Sequence, residues 1–260
     1  MSDAGQTALR VVGGIAVALL IAVIVALIAA GIAIAVRQRA ARDAAEAERE
    51  VLGTHTVDWR RYAGAVAGEE GDEMMDNDAV WRELAAFPQT YQRDCACSEA
   101  RYALVPPEQG STTANTVLVN NRCETYDGET REARGVARLV PGTDGREARV
   151  LFGPEWLVDG IASGASWWSD PLFRWFGGDY WVYYVDETYT YAIVGNPEHT
   201  ALWILTRAPP NEVDPETYRN LIDRAASYGF DVSLLQPRCT DFTEPRAPAT
   251  APVTDGDADV

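Results

Sequence analysis

Positive charge is scarce in this chain. Its 22 Lys and Arg residues face 39 Asp and Glu, a net charge of -17. That balance argues against nucleic acid as a partner and against simple charge attraction to anionic headgroups. Histidine is scarcer still, and neither His55 nor His199 sits in a motif with Ser or Cys. The patterns G-x-S-x-G and H-E-x-x-H are missing, as is a glycine-rich phosphate loop. Asp170, Asp179 and Asp186 could supply a general acid, but isolated carboxylates are ordinarily solvated surface groups. The chain is therefore expected not to be an enzyme and to need no cofactor or metal. It has no internal repeat of solenoid or propeller period.

Charge is absent altogether from residues 11–36, VVGGIAVALLIAVIVALIAAGIAIAV. A helix of that length exceeds a hydrocarbon core of roughly 30 Å with some tilt to spare. It is too long for the apolar region of a cleaved signal peptide and holds no Cys that could accept a lipid. An uncleaved transmembrane helix after a short tail (1–10) is the expectation. Its sidedness is contested. Arg37, Arg39 and Arg42 follow the span and only Arg10 precedes it, which places the C-terminal domain in the cytoplasm by the positive-inside rule. The cysteines point to the periplasmic or extracytoplasmic side. There are four (Cys95, Cys97, Cys123, Cys239), without metal-site spacing, and two disulfides require an oxidising compartment. The second placement is favoured. Residues 37–56 read as a charged stalk, and 243–260, rich in Pro, Ala, Thr and Asp, as a disordered acidic tail.

Aromatic and β-branched residues are abundant where charge is thin. GDYWVYYVDETYTYAIVGNPEHTALWILTR (178–207) holds three strand-like runs broken by D-E-T and G-N-P. Further strands are expected at 79–86, 100–106, 115–123, 132–140 and 147–153, joined by turn sequences such as YDGET and PGTDG. About eight antiparallel strands make an all-β barrel wide enough for one small ligand. Asp214 as N-cap, Pro215 at the first helical position and Gly229 at the end mark a C-terminal helix. Tyr218, Leu221, Ile222 and Ala225 give it an apolar stripe to lay on the barrel wall.

Over 57–236 the chain resembles the lipocalin family, most nearly its bacterial outer-membrane and apolipoprotein D branch. VDWRRYAG (57–64), WRELAAFPQTYQRDC (81–95), EARYAL (99–104), NRC (121–123), FGP (152–154), GDYWV (178–182), DETYTYAIVG (186–195), LWILTR (202–207) and GFDVS (229–233) carry the resemblance, in the family's order. It implies an up-and-down barrel over 57–242, with Trp81 plugging the closed end and Arg207 packing across it as a cation–π pair. It also implies Cys97–Cys239 and Cys95–Cys123 among the three possible pairings. If Arg207 covers the floor from inside, Trp203, which shares a strand face with Leu205 and Arg207, points into the cavity. Tyr102 and Asn121 match ligand contacts of the family. Phe152, Trp181 and Tyr183 are further candidates.

Two inserts depart from the family. An acidic one, 65–79, separates Gly64 from Trp81 and reads as a solvated loop; alternatively Ala79 takes the glycine's place. A tryptophan-rich one, 155–175, brings Trp156, Trp167, Trp168, Phe173 and Trp175 to the open mouth. It reads as a ligand lid or a foot in a membrane interface, with a satellite core of its own as the alternative. The function implied is a membrane-anchored carrier of a small hydrophobic ligand, of fatty-acid or lysophospholipid type, in the bacterial cell envelope. Two alternatives stand beside it: a lipid- or isoprenoid-modifying enzyme, and a module docking a membrane partner through the Trp-rich insert.

Overall fold

The structure is a computed structural model that describes residues 55–64, 80–106, 116–163 and 169–239, with four isolated helical positions, Val25, Ile32, Val36 and Arg39. The rest of the 11–36 span, the rest of the stalk up to residue 54, the acidic insert 65–79, Trp167, Trp168 and the tail 243–260 lie outside the described residues. Among those described, no helix is long and apolar enough to cross a membrane.

Eight strands run antiparallel in chain order: β1 (Trp81–Ala86), β2 (Cys95–Leu104), β3 (Thr116–Thr125), β4 (Thr130–Leu139), β5 (Glu147–Phe152), β6 (Gly178–Val185), β7 (Tyr191–Gly195) and β8 (Leu202–Thr206). β1 pairs with β8 on one side and with β2 on the other, so the sheet closes into a barrel. A two-residue strand, β9 (Gln236–Pro237), pairs with β1 at Ala85 and Ala86. The breaks seen in the sequence are turns held by side chains. Asp186 accepts from the Thr190 and Tyr191 amides, and Asn196 from those of Thr200 and Ala201.

Both faces of the wall are covered. Inside, Trp81, Tyr102, Leu104, Val117, Val119, Ala137, Val182, Val194 and Leu205 form one buried cluster. Outside, helix α4 (Pro215–Ser227) begins on the Asp214 cap and buries Leu221 and Ala225. The chain then turns through Gly229 at φ 92° and buries Phe230. Two disulfides fasten the mouth end. Cys95 joins Cys123 across β2 and β3, and Cys97 joins Cys239, tying the segment after β9 to β2.

The folded unit begins earlier than the stalk boundary at residue 56 implied. His55 Nε2 meets the Val182 carbonyl at 3.0 Å, and the Val57 amide donates to Asp144. A short helix, α1 (Trp59–Ala63), follows, capped by Asp58 and ended by Gly64 at φ 75°. Gly145 permits this docking, because a Cβ there would collide with the Val57 carbonyl.

Candidate functional site

Helix α1 is the floor of the barrel. Its Tyr62 ring stacks on Trp81 at 4.9 Å between centroids, and the Trp59 indole donates to the Gly145 carbonyl at 2.6 Å. Trp81 is fully buried, and the Arg207 guanidinium lies 4.5 Å from its ring centre. The cation–π closure implied by the family resemblance is thus present, and α1 adds a second aromatic layer to it.

Above the floor three phenols meet. Tyr180 Oη lies 2.7 Å from Tyr62 Oη and 2.9 Å from Tyr102 Oη. Burial pushes all three hydroxyls well above the ordinary phenol pKa, so they stay protonated. Three protons serve two mutual hydrogen bonds, which leaves one O–H to donate elsewhere.

Register assigns the remaining wall. Ala100 opposes Trp81 on one side and Asn121 on the other, so Asn121 shares the inner face with Trp81, Ala100 and Tyr102. Its Oδ1 is buried and has no partner among the described residues. Glu83 opposes Leu205, and Trp203 opposes Ala86 and Val194, which places both side chains inside. Gln92, from a 3-10 turn between β1 and β2, reaches down from the mouth and joins them. It donates to Glu83 Oε1 at 2.6 Å and to Ser98 Oγ at 3.3 Å, and its Oε1 accepts from the Trp203 indole at 3.4 Å. Phe152, the last residue of β5, lies over Gly135 at the rim and is 46% exposed.

Two candidates fall on the wrong side of the wall. Trp181 and Tyr183 alternate with the inner Tyr180 and Val182, and so face outward. Tyr183 packs at 4.9 Å from Phe230 and 5.5 Å from Tyr228, and donates to the Asn196 carbonyl. Trp181 stands beside it, at 6.4 Å. Glu83, Gln92, Tyr62 and Tyr180 belong to the interior without having been candidates from the sequence. Glu83 had a signal, since it is two strand positions from Trp81; Gln92 had none.

The tryptophan-rich insert forms two helices, α2 (Glu155–Ala162) and α3 (Ser169–Phe176). Phe173 is not an exposed mouth residue. It is 4% exposed, packs with Val158 and Ile161 against the outer side chains Val136 and Leu151, and carries the Arg138 guanidinium over its ring. This is a satellite core shared with the barrel's outer wall. Trp156, Trp175 and Phe176 remain 73%, 59% and 74% exposed.

The sequence profile of the lipocalin-like domain matches residues 78–240. The chain belongs to the lipocalin family. Temperature-induced lipocalin-1 of Arabidopsis thaliana is 31% identical over 66% of this chain and 81% of its own length. Outer membrane lipoprotein Blc of Vibrio cholerae is 27% identical over 63% and 80%. Among solved structures, insecticyanin from Manduca sexta aligns over 74% of this chain and 84% of its own, at 15% identity and a TM-score of 0.44. Lipocalins bind small hydrophobic ligands and are generally carriers rather than enzymes.

Proposed function

We propose that this lipocalin binds and carries a small hydrophobic ligand of acyl-lipid type, a fatty acid or lysophospholipid, in the bacterial cell envelope. The observation that carries the reading is the make-up of the inner wall. Apolar side chains dominate it, and a few polar groups (Tyr102, Asn121 and the Gln92 bridge to Trp203) converge there, as in sites for amphiphilic molecules. We assign ligand contact to Tyr102, Asn121 and Trp203, with Phe152 at the rim.

The reading includes anchorage by the uncharged 11–36 run, a stalk from residue 37, the barrel outside the cytoplasm and a solvated tail from 243. Two disulfides support the oxidising side. One relative is named an outer membrane lipoprotein, which supports the envelope. The exposed Trp156, Trp175 and Phe176 suit contact with a lipid interface beside the mouth.

The test is native mass spectrometry and lipid extraction of the full chain purified from its membrane. Co-purifying acyl lipid in near-stoichiometric amount is expected. An empty protein that also fails to take up a fluorescent fatty-acid analogue would reject the reading.

A further inference from the structure

Glu83 is an odd residue to find inside a lipid-binding barrel. It is 6% exposed, and its Oε1 is satisfied by Gln92 at 2.6 Å. Its Oε2 is buried with no partner among the described residues. The groups around it are known. Gln92 and Tyr91 come from the mouth turn, Ser98 and Tyr102 from β2, Trp203 and Leu205 from β8, and Arg238 from the segment after β9. Arg238 is the one cation among them, and its Nη1 is already spent on the Cys95 carbonyl at 2.7 Å. Burial pushes the Glu83 carboxyl above its ordinary range, more than Gln92, Arg238 and Ser98 pull it down.

A second unsatisfied acceptor lies on the same inner face, two strands away on β3. Ser98 is two residues from Ala100 on β2, and Ala100 opposes Asn121. Asn121 Oδ1 is likewise buried and unpartnered among the described residues. An acceptor deprived of water costs on the order of 1–3 kcal/mol until something donates to it. The spare phenol O–H of the Tyr62–Tyr180–Tyr102 chain offers a single donor in return.

We propose that Glu83, with Asn121, selects the ligand's head group: the barrel takes an uncharged, hydrogen-bond-donating head, a hydroxyl or amide on a long apolar chain, in preference to a carboxylate. This rests on the reading of the barrel as a site for a small hydrophobic ligand and revises its head group, from the fatty acid named there to an alcohol or amide. A hydroxyl head donates to Glu83 Oε2 or Asn121 Oδ1 and accepts from the phenol chain. A carboxylate head brings a like charge against a buried carboxyl, and two carboxyls in one dry site hold a proton between them. Above the pH at which Glu83 ionises in the empty barrel, a fatty acid therefore enters only with uptake of a proton, and its affinity falls as pH rises; an alcohol's does not.

The test uses the full chain kept soluble in an amphipathic polymer, with laurate and dodecan-1-ol competing for a bound fluorescent probe. At about pH 8 the alcohol is expected to displace the probe at a concentration about tenfold or more below that of laurate. Laurate affinity, measured at about pH 6 and about pH 8, should be lower at the higher pH while that of the alcohol stays level. Glu83→Gln, nearly isosteric, should shrink the gap to about threefold or less and flatten the laurate profile. Laurate binding as tightly as the alcohol at both pH values would overturn the head-group selection and leave ligand binding intact. Displacement by neither would overturn both. The wild-type comparison stands without the variant, should Glu83→Gln fail to fold.

Discussion

The Arg207 guanidinium and the Trp81 indole, 4.5 Å apart, converge on one acceptor, the Tyr62 carbonyl, at 2.7 and 2.9 Å. Arg207 also donates to the Arg61 carbonyl at 2.8 Å. The last turn of α1 is therefore held by the two residues that close the barrel, and the floor is a single unit made from β1, β8 and the helix before them.

Arg207→Ala should therefore loosen α1 as well as uncover Trp81. It removes a partly buried cation–π contact and two charged hydrogen bonds, together about 2–4 kcal/mol. Arg207→Lys keeps the charge but cannot reach both carbonyls with a planar fork, and should cost about half as much. Urea denaturation measures both, and equal midpoints for Lys and Arg would show that the fork does not matter.

Trp203 and Tyr183 should separate affinity from stability. Trp203 lies on the inner face with its indole on Gln92, so Trp203→Ala should weaken ligand binding about tenfold or more. Tyr183 is fully buried on the outer face against Phe230 and Tyr228, so Tyr183→Ala should destabilise by about 3–5 kcal/mol. Probe displacement below the melting transition should find its affinity unchanged. Lost affinity in well-folded Tyr183→Ala would count against the inner and outer assignment.

The two disulfides close loops of very different length, 28 residues for Cys95–Cys123 and 142 for Cys97–Cys239. By loop-closure entropy alone the longer one should contribute about 1.4 kcal/mol more. Cys97→Ser/Cys239→Ser should thus lower the melting temperature further than Cys95→Ser/Cys123→Ser. It should also increase hydrogen exchange at Arg238, whose amide bonds the Leu84 carbonyl at 2.8 Å.

The order of strands, the C-terminal helix and the Trp81–Arg207 closure were legible because each has a local cause: alternation, a capped apolar stripe, or a motif at a fixed place. The facing of β6 was not. GDYWVYYV puts aromatics on both parities, since Tyr180 and Val182 line the barrel while Trp181 and Tyr183 face outward, Tyr183 under the C-terminal segment. A strand buried on both faces carries no alternation to read. The insert posed a related difficulty. Phe173 is buried and Trp175 exposed, two residues apart on α3, and only the apolar outer side chains Val136 and Leu151 decide which one packs. Gln92 came from a turn with no periodicity at all.

Exposed aromatics on α2 and α3 predict membrane contact that does not depend on the 11–36 run. Trp156→Ser/Trp175→Ser/Phe176→Ser, made in a chain lacking residues 1–51, should reduce co-sedimentation with neutral phosphatidylcholine vesicles about tenfold or more. The melting temperature should barely change, because these side chains are 59–74% exposed. Equal sedimentation of parent and variant would remove the membrane-foot reading of the insert.

The buried carboxyl makes a final prediction about stability and pH. Burial raises the Glu83 pKa above 4.5 in the folded protein, so the native state holds this proton more tightly than the unfolded chain does. Below pH 4.5 both states are protonated and the contribution to stability is complete. As pH rises, the unfolded chain ionises first, and stability falls until pH passes the folded-state value. Asp127 and Asp214, held low by hydrogen bonds from Thr125 and Thr217, pull in the opposite direction, and total stability against pH mixes the two. The difference between wild type and Glu83→Gln isolates the one carboxyl, since the other groups cancel. That difference should move in favour of the variant as pH rises above 4.5 and then level off; a difference independent of pH would mean that Glu83 ionises as easily folded as unfolded, and that its surroundings are wet.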